Sequence, residues 1–102
     1  MRIALAREHR IPFDPREKNS QTIADLGLMP SEVGGVLRRL TVEDYCEGPL
    51  PDDKGRPLEW WVFGPVVSGC CLYVKVSLHK GRVICKSFHL PQWEMKYPLR
   101  GK

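Results

Sequence analysis

Long apolar runs are missing from this 102-residue chain. No stretch approaches the roughly 20 apolar residues that a membrane-spanning helix needs, and the N-terminus has no long apolar block of the kind a signal peptide carries. A cytoplasmic protein without a membrane partner is the expectation. Paired metal-ligand spacing is missing too. Cys46, Cys70, Cys71 and Cys85 include an adjacent pair but no Cys-x2-Cys, and His89 follows Cys85 at a spacing that matches no known zinc pattern. A disulfide framework is not expected in a reducing compartment, so the cysteines read as small buried hydrophobes and the chain as one that uses no metal or other cofactor. Also absent are a Ser-His-Asp set, a P-loop and a Gly-rich dinucleotide fingerprint. Acids thin out along the chain: after Asp53 only Glu59 and Glu94 remain, against nine Lys and Arg. A net charge of +4 permits nucleic-acid binding, and the basic C-terminal half makes RNA the natural partner, with a plain solvated surface as the alternative.

What is present fits one domain with a modest core. Residues 1–7 read as part of a helix cut short, which would cover the core, and residues 11–15 are extended because they precede prolines. Asn19 or Ser20 can cap a short helix that runs through Leu26 and stops at Gly27. Pro30 and Ser31 open a second helix in which Val33, Val36, Leu37 and Leu40 share one face. Thr41-Val42-Glu43-Asp44 is a capping-box-like start for a single turn through Tyr45. Residues 48–57 form a loop by every local rule, either a mobile connector or a flap. Strands are expected at about 59–67, 70–78 and 82–89, joined by tight turns at Ser68-Gly69 and Lys80-Gly81. Residues 91–102 read as an ordered tail with aromatic anchors. The expected architecture is therefore α+β: a helical part over about 1–46, then a small antiparallel sheet of about three or four strands over about 58–90, with the N-terminal helices packed on one face.

Turn lengths assign faces, because cross-strand partners point to the same side of the sheet. A two-residue turn at Ser68-Gly69 sets Phe63 opposite Val74, Trp61 opposite Val76 and Trp60 opposite Ser77. If Leu78 opposes Val83, then Val76 faces Cys85, Lys75 faces Lys86 and Tyr73 faces Phe88. One face then carries Trp61, Phe63, Leu72, Val74, Val76, Leu78, Val83 and Cys85, a core. The other carries Trp60, Val62, Tyr73, Lys75, Ser77, Ile84, Lys86 and Phe88, which is basic and aromatic together. Lysines engage phosphates and rings stack on unpaired bases, so Trp60 and Phe88, with Lys80 and Arg82 at the second hairpin, are candidate RNA contacts. The alternative is that Trp60, Tyr73 and Phe88 pack beneath Trp93 and Tyr97 with lysine stems over them.

Such a face has the residue types for metal-free RNA cleavage, in which the 2′-hydroxyl attacks the adjacent phosphate. Lys75 and Lys86 would supply positive charge, and Tyr73 would position the nucleophile or move a proton. His89 is the residue type best matched to proton transfer at neutral pH, but the register expects it on the core side, opposite Leu72. His79 and His9 read as solvated.

The strings Leu40-Thr41-Val42-Glu43-Asp44-Tyr45, Gly48-Pro49, Trp61-Val62-Phe63-Gly64, Leu72-Tyr73-Val74-Lys75 and Ser87-Phe88-His89 resemble, in order and spacing, the MqsR-type toxins of bacterial type II toxin–antitoxin systems. The resemblance extends from Arg16-Glu17-Lys18-Asn19 to Tyr97-Pro98. It implies a RelE-like fold and a single toxin domain over 1–102. It also implies ribosome-independent, cofactor-free mRNA cleavage and a neutralising cognate antitoxin. The family's catalytic tyrosine falls on Tyr73. Two positions depart: Glu47 stands where founding members have a catalytic lysine, and Trp60 where they have a glutamine. A non-catalytic RNA- or protein-binding module on the same fold and a small Cys/His metal protein are the competing readings.

Overall fold

The computed structural model describes residues 17–99; the helix expected at 1–7, the extended segment at 11–15, His9 and the last three residues lie outside them. Helix α1 spans Glu17–Asp25. A 3-10 turn at Pro30–Glu32 leads into α2 at Val33–Arg38, and a second 3-10 turn covers Val42–Asp44. Six strands follow: β1 Tyr45–Pro51, β2 Glu59–Phe63, β3 Val66–Val67, β4 Cys70–Cys71, β5 Tyr73–His79 and β6 Arg82–His89. β1, β2, β5 and β6 form an antiparallel sheet in that order, while β3 and β4 make a separate two-stranded ribbon. The fold class is α+β.

Both expected turns are present, and their chemistry explains the register. Ser68 and Gly69 have φ of 51° and 78°, and Lys80 and Gly81 have 51° and 76°. Two successive positive φ values suit a type I′ turn, whose twist matches that of the flanking strands. The first hairpin pairs as expected, with Trp60 opposite Ser77, Trp61 opposite Val76 and Phe63 opposite Val74. Its strands are nevertheless interrupted. Pro65 has no N–H for a ladder, Gly64 N–H donates to the Asp44 carbonyl (2.7 Å), and Leu72 N–H donates to the Pro65 carbonyl (2.9 Å).

The second hairpin holds its expected register only as far as Val76 opposite Cys85. A β-bulge at Lys86 then sets Lys75 opposite Ser87, Val74 opposite Phe88 and Tyr73 opposite His89. One extra residue reverses the parity of everything after it. Phe88, expected among the basic residues, is in the core with no exposed surface, and His89, expected on the core side, joins Tyr73. Asn19 holds the bulge in place. It sits inside α1 instead of capping it, fully buried, and its side-chain amide donates to the Lys86 carbonyl (3.0 Å) while its oxygen accepts from Phe88 N–H (2.9 Å). One amide thus satisfies two main-chain groups of β6, as a neighbouring strand would.

A second correction concerns residues 48–57. The first four, Gly48 to Pro51, belong to β1, paired with β2 through Leu50 opposite Trp60 and Pro51 opposite Glu59. Prolines are tolerated there because β1 is an edge strand whose outer side needs no ladder donor. The core joins Ile23 of α1 and Val33, Val36 and Leu37 around α2 to Phe63, Leu72, Val74, Val76, Val83, Cys85 and Phe88 of the sheet side.

Removing the Asn19 amide leaves buried main-chain groups of β6 unmatched. Asn19→Ala should destabilise the fold by roughly 2–4 kcal/mol in urea denaturation; a loss below about 0.5 kcal/mol would show that the bulge holds itself. Ser77 is the opposite case: its hydroxyl is buried and finds no partner among the described residues. Ser77→Ala should therefore leave stability unchanged or raise it, by up to about 1 kcal/mol.

Candidate functional site

The sheet face away from the core is organised in rows. Glu47, Val62, Lys75 and Ser87 lie in register across all four strands, as do Leu50, Trp60, Ser77 and Ile84 in the next row. Beyond Lys75, Tyr73 and His89 form the end pair, with rings stacked at 5.3 Å between centroids and 16° between planes. Trp93, from the segment after β6, meets the Tyr73 ring edge-on at 6.0 Å and is itself 61% exposed. A cleft of about 240 Å³ opens beside Tyr73, lined also by Cys46, Glu47 and Val62 on the sheet and by residues 93–96 of the tail.

Each group in this corner has a defined state. Burial first, then the nearby Glu47 carboxylate and Cys46, push the Tyr73 phenol above the ordinary tyrosine value. Tyr73 is thereby kept as an O–H donor and is a poor base. His89 Nδ1 lies 2.9 Å from the Leu90 carbonyl oxygen, which can only accept. Nδ1 therefore carries a hydrogen, and Nε2 is the ring nitrogen left to exchange a proton. The tail is fastened further on. Tyr97 O–H donates to the Gly64 carbonyl (2.8 Å), and Cys71 Sγ lies 2.8 Å from the same phenol oxygen. A Cβ on Gly64 would sit 2.6 Å from that oxygen, so any larger residue there would force the Tyr97 ring to shift.

At the other end of the face, the loop after β1 clasps Trp60. Asp52, only 6% exposed, accepts from the Trp60 indole N–H (3.0 Å), from two guanidinium nitrogens of Arg56 (2.9 Å each) and from the main-chain N–H groups of Lys54 (3.1 Å) and Arg56 (3.2 Å). The Arg56 bond above all holds the Asp52 carboxyl well below the usual carboxylate range, against the effect of burial. Lys86 Nζ lies 5.4 Å from the Trp60 ring centroid and 3.3 Å from the Asp53 carboxylate, which it lowers in turn. The loop expected as a mobile connector or flap is thus held to the sheet by this clasp.

The residues singled out from the sequence therefore divide into four groups. Tyr73, Lys75 and His89 share one end of the face. Lys86 shares the face too, but its charge is engaged by Asp53 and Trp60. Lys80 and Arg82 are exposed at the β5–β6 turn, and Arg82 pairs with His79 in the ladder. Trp60 is 2% exposed and Phe88 is fully buried, so neither ring offers a face to a base. Tyr73 does lie beside the tail, whereas Trp60 is covered by the loop and Lys86.

Sequence reasoning missed Asp52, the hold of Asn19 on β6 and the position of Glu47 beside Tyr73. The Asp52-x3-Arg56 spacing was a usable signal for the clasp, because an aspartate at a turn commonly accepts from main-chain N–H groups shortly after it. Among the described residues, no group of three or more His, Cys, Asp and Glu is arranged to hold a metal ion, and no helix is long and apolar enough to cross a membrane. No protein-family model, curated protein or solved structure matches this chain.

The clasp gives stability a pH dependence of known sign. A carboxyl whose folded value is depressed contributes fully above its unfolded value of about 4 and loses that contribution as pH falls toward the folded value. The urea midpoint of the wild type should fall between pH 5 and pH 2.5. The fall should be clearly smaller in Asp52→Asn, whose midpoint at pH 6 is already lower. Equal pH dependence in the two proteins would remove Asp52 from this role.

Proposed function

We propose that this chain is a RelE-like, MqsR-type toxin that cleaves mRNA by metal-independent transesterification in the bacterial cytoplasm and is neutralised by a cognate antitoxin protein. The observation that carries this reading is the stacked Tyr73–His89 pair beside an open cleft, with Lys75 in the next row of the same face. The resemblance in sequence assigns a catalytic tyrosine to Tyr73, and the geometry around that residue suits the chemistry.

Cleavage by the 2′-hydroxyl needs charge stabilisation on the phosphorane and a proton for the leaving 5′-oxygen. Tyr73, held in its protonated form, donates to a non-bridging phosphate oxygen. Lys75 supplies positive charge from the adjacent row. His89 delivers the leaving-group proton from Nε2, its ring held by the Nδ1 contact and the stack on Tyr73. The exposed Lys80 and Arg82 lie at the β5–β6 turn, at the far end of β5 from Tyr73, and add long-range attraction for the RNA backbone, while Lys86, tied to Asp53, contributes field more than contact.

The test is cleavage of a defined mRNA by purified protein with EDTA present. Wild type should yield 2′,3′-cyclic phosphate and 5′-hydroxyl ends; His89→Gln should lose on the order of 10²–10⁴ in rate, and Tyr73→Phe and Lys75→Ala at least about tenfold each. Folded wild-type protein that leaves RNA intact, with or without ribosomes, would remove the nuclease reading. Salt-dependent RNA binding without product would make this a binding module instead.

A further inference from the structure

We propose that Glu47 is the general base of this reaction, taking the 2′-hydroxyl proton on one side of Tyr73 while His89 serves as the acid on the other; the inference rests on the RNA-cleavage reading above. Its first support is the path of β1. Tyr45 lies opposite Phe63 and packs against the core, so strict alternation would send Glu47 to the core as well. Instead, two residues of β1 span one step of β2 between Tyr45 and Glu47, and three residues span two steps between Glu47 and Leu50. Irregularities on both sides of Glu47 set it opposite Val62, on the face that carries Tyr73. Bulges re-aim side chains in this way, and they are frequent next to active sites.

The second support is the symmetry of the result. β6 carries its own bulge, which turns His89 to the same face. The two edge strands of the sheet each spend extra residues to present one proton-transfer group toward β5, where Tyr73 stands. Glu47 and Tyr73 line one cleft, and His89 stacks on Tyr73 from the opposite side.

That arrangement meets a requirement of the chemistry. In transesterification the attacking O2′ and the departing O5′ lie in line on opposite sides of phosphorus. The base and the acid must therefore approach from opposite sides of the phosphate. With the phosphate over the Tyr73 hydroxyl, the Glu47 carboxylate takes the 2′ proton as the O2′–P bond forms. The P–O5′ bond breaks and O5′ takes a proton from His89 Nε2. The products are a 2′,3′-cyclic phosphate and a 5′-hydroxyl, with no net proton gained or lost by the protein once Glu47 and His89 re-equilibrate with water. Glu47 is exposed on the sheet, and its charge helps to hold the Tyr73 phenol in the donor form this step uses.

The experiment is single-turnover cleavage of a short RNA by wild type, Glu47→Gln, Glu47→Asp and His89→Gln. Binding is measured separately with the same RNA carrying a 2′-deoxy group at the cut site, and folding of each variant by circular dichroism. Glu47→Gln should lose on the order of 10²–10⁴ in rate with binding kept within about threefold, and Glu47→Asp should recover part of that loss. Wild-type cleavage with Glu47→Gln within about threefold of it, or a loss explained by weaker binding alone, overturns Glu47 as base and leaves the nuclease reading standing. A wild type that binds RNA and never cuts it fails the nuclease reading, and this inference with it.

Discussion

The arrangement of the outer sheet face depends on a single side-chain amide. Asn19 reaches from α1 to the main chain of β6 and bonds on both sides of Ser87. A helix and a strand rarely share main-chain partners, because each satisfies its own. Here the bulge at Lys86 leaves two groups of β6 facing α1, and Asn19 has one donor and one acceptor at the right separation for both. From that clasp follow the burial of Phe88 and the pairing of His89 with Tyr73. Without the extra residue, the histidine would face the core and the phenylalanine would face solvent. A polar residue buried in the interface between helix and sheet thus determines which chemistry appears on the opposite surface.

How much of this was legible in the sequence depended on where parity was set. Ser68-Gly69 and Lys80-Gly81 announced themselves by residue type, and counting outward from them gave the correct partners for Trp60, Trp61, Phe63, Val76 and Val83. Counting failed at Lys86 because a bulge is stabilised by its surroundings, and Asn19 lies 67 residues away in the chain. Asn19 itself looked like a helix cap, a role that its residue type favours and its burial overrides. β1 was hidden for another reason. Gly48, Pro49 and Pro51 are loop formers by local preference, yet an edge strand tolerates them where a central strand would not. The positions read for RNA contact erred where they assumed that an aromatic ring on the outer face is available. Trp60 is on that face, but Asp52 and Lys86 close over it.

The face away from the core is therefore divided. At one end the loop after β1 is tied down by a carboxylate that accepts from indole, guanidinium and main chain together, so most of its charge is spent on structure. At the other end Tyr73 and Glu47 line an open cleft, with His89 stacked on Tyr73 and Lys75 in the next row. The division explains why the basic character seen in composition is a poor guide to the site. Lys86 and Arg56 are basic residues engaged by aspartates of the loop after β1, whereas the corner around Tyr73 holds one acid and one imidazole beside a single lysine.

β1 has a further consequence at the level of assembly. A sheet edge normally exposes a row of main-chain donors and acceptors that any passing strand can match. Here that edge is irregular in step, lacks the N–H groups of Pro49 and Pro51, and is followed by the clasped loop. A second molecule offered a strand at this edge finds no continuous ladder to extend. The same residues that disguised β1 as a loop act as its guard against edge-to-edge aggregation.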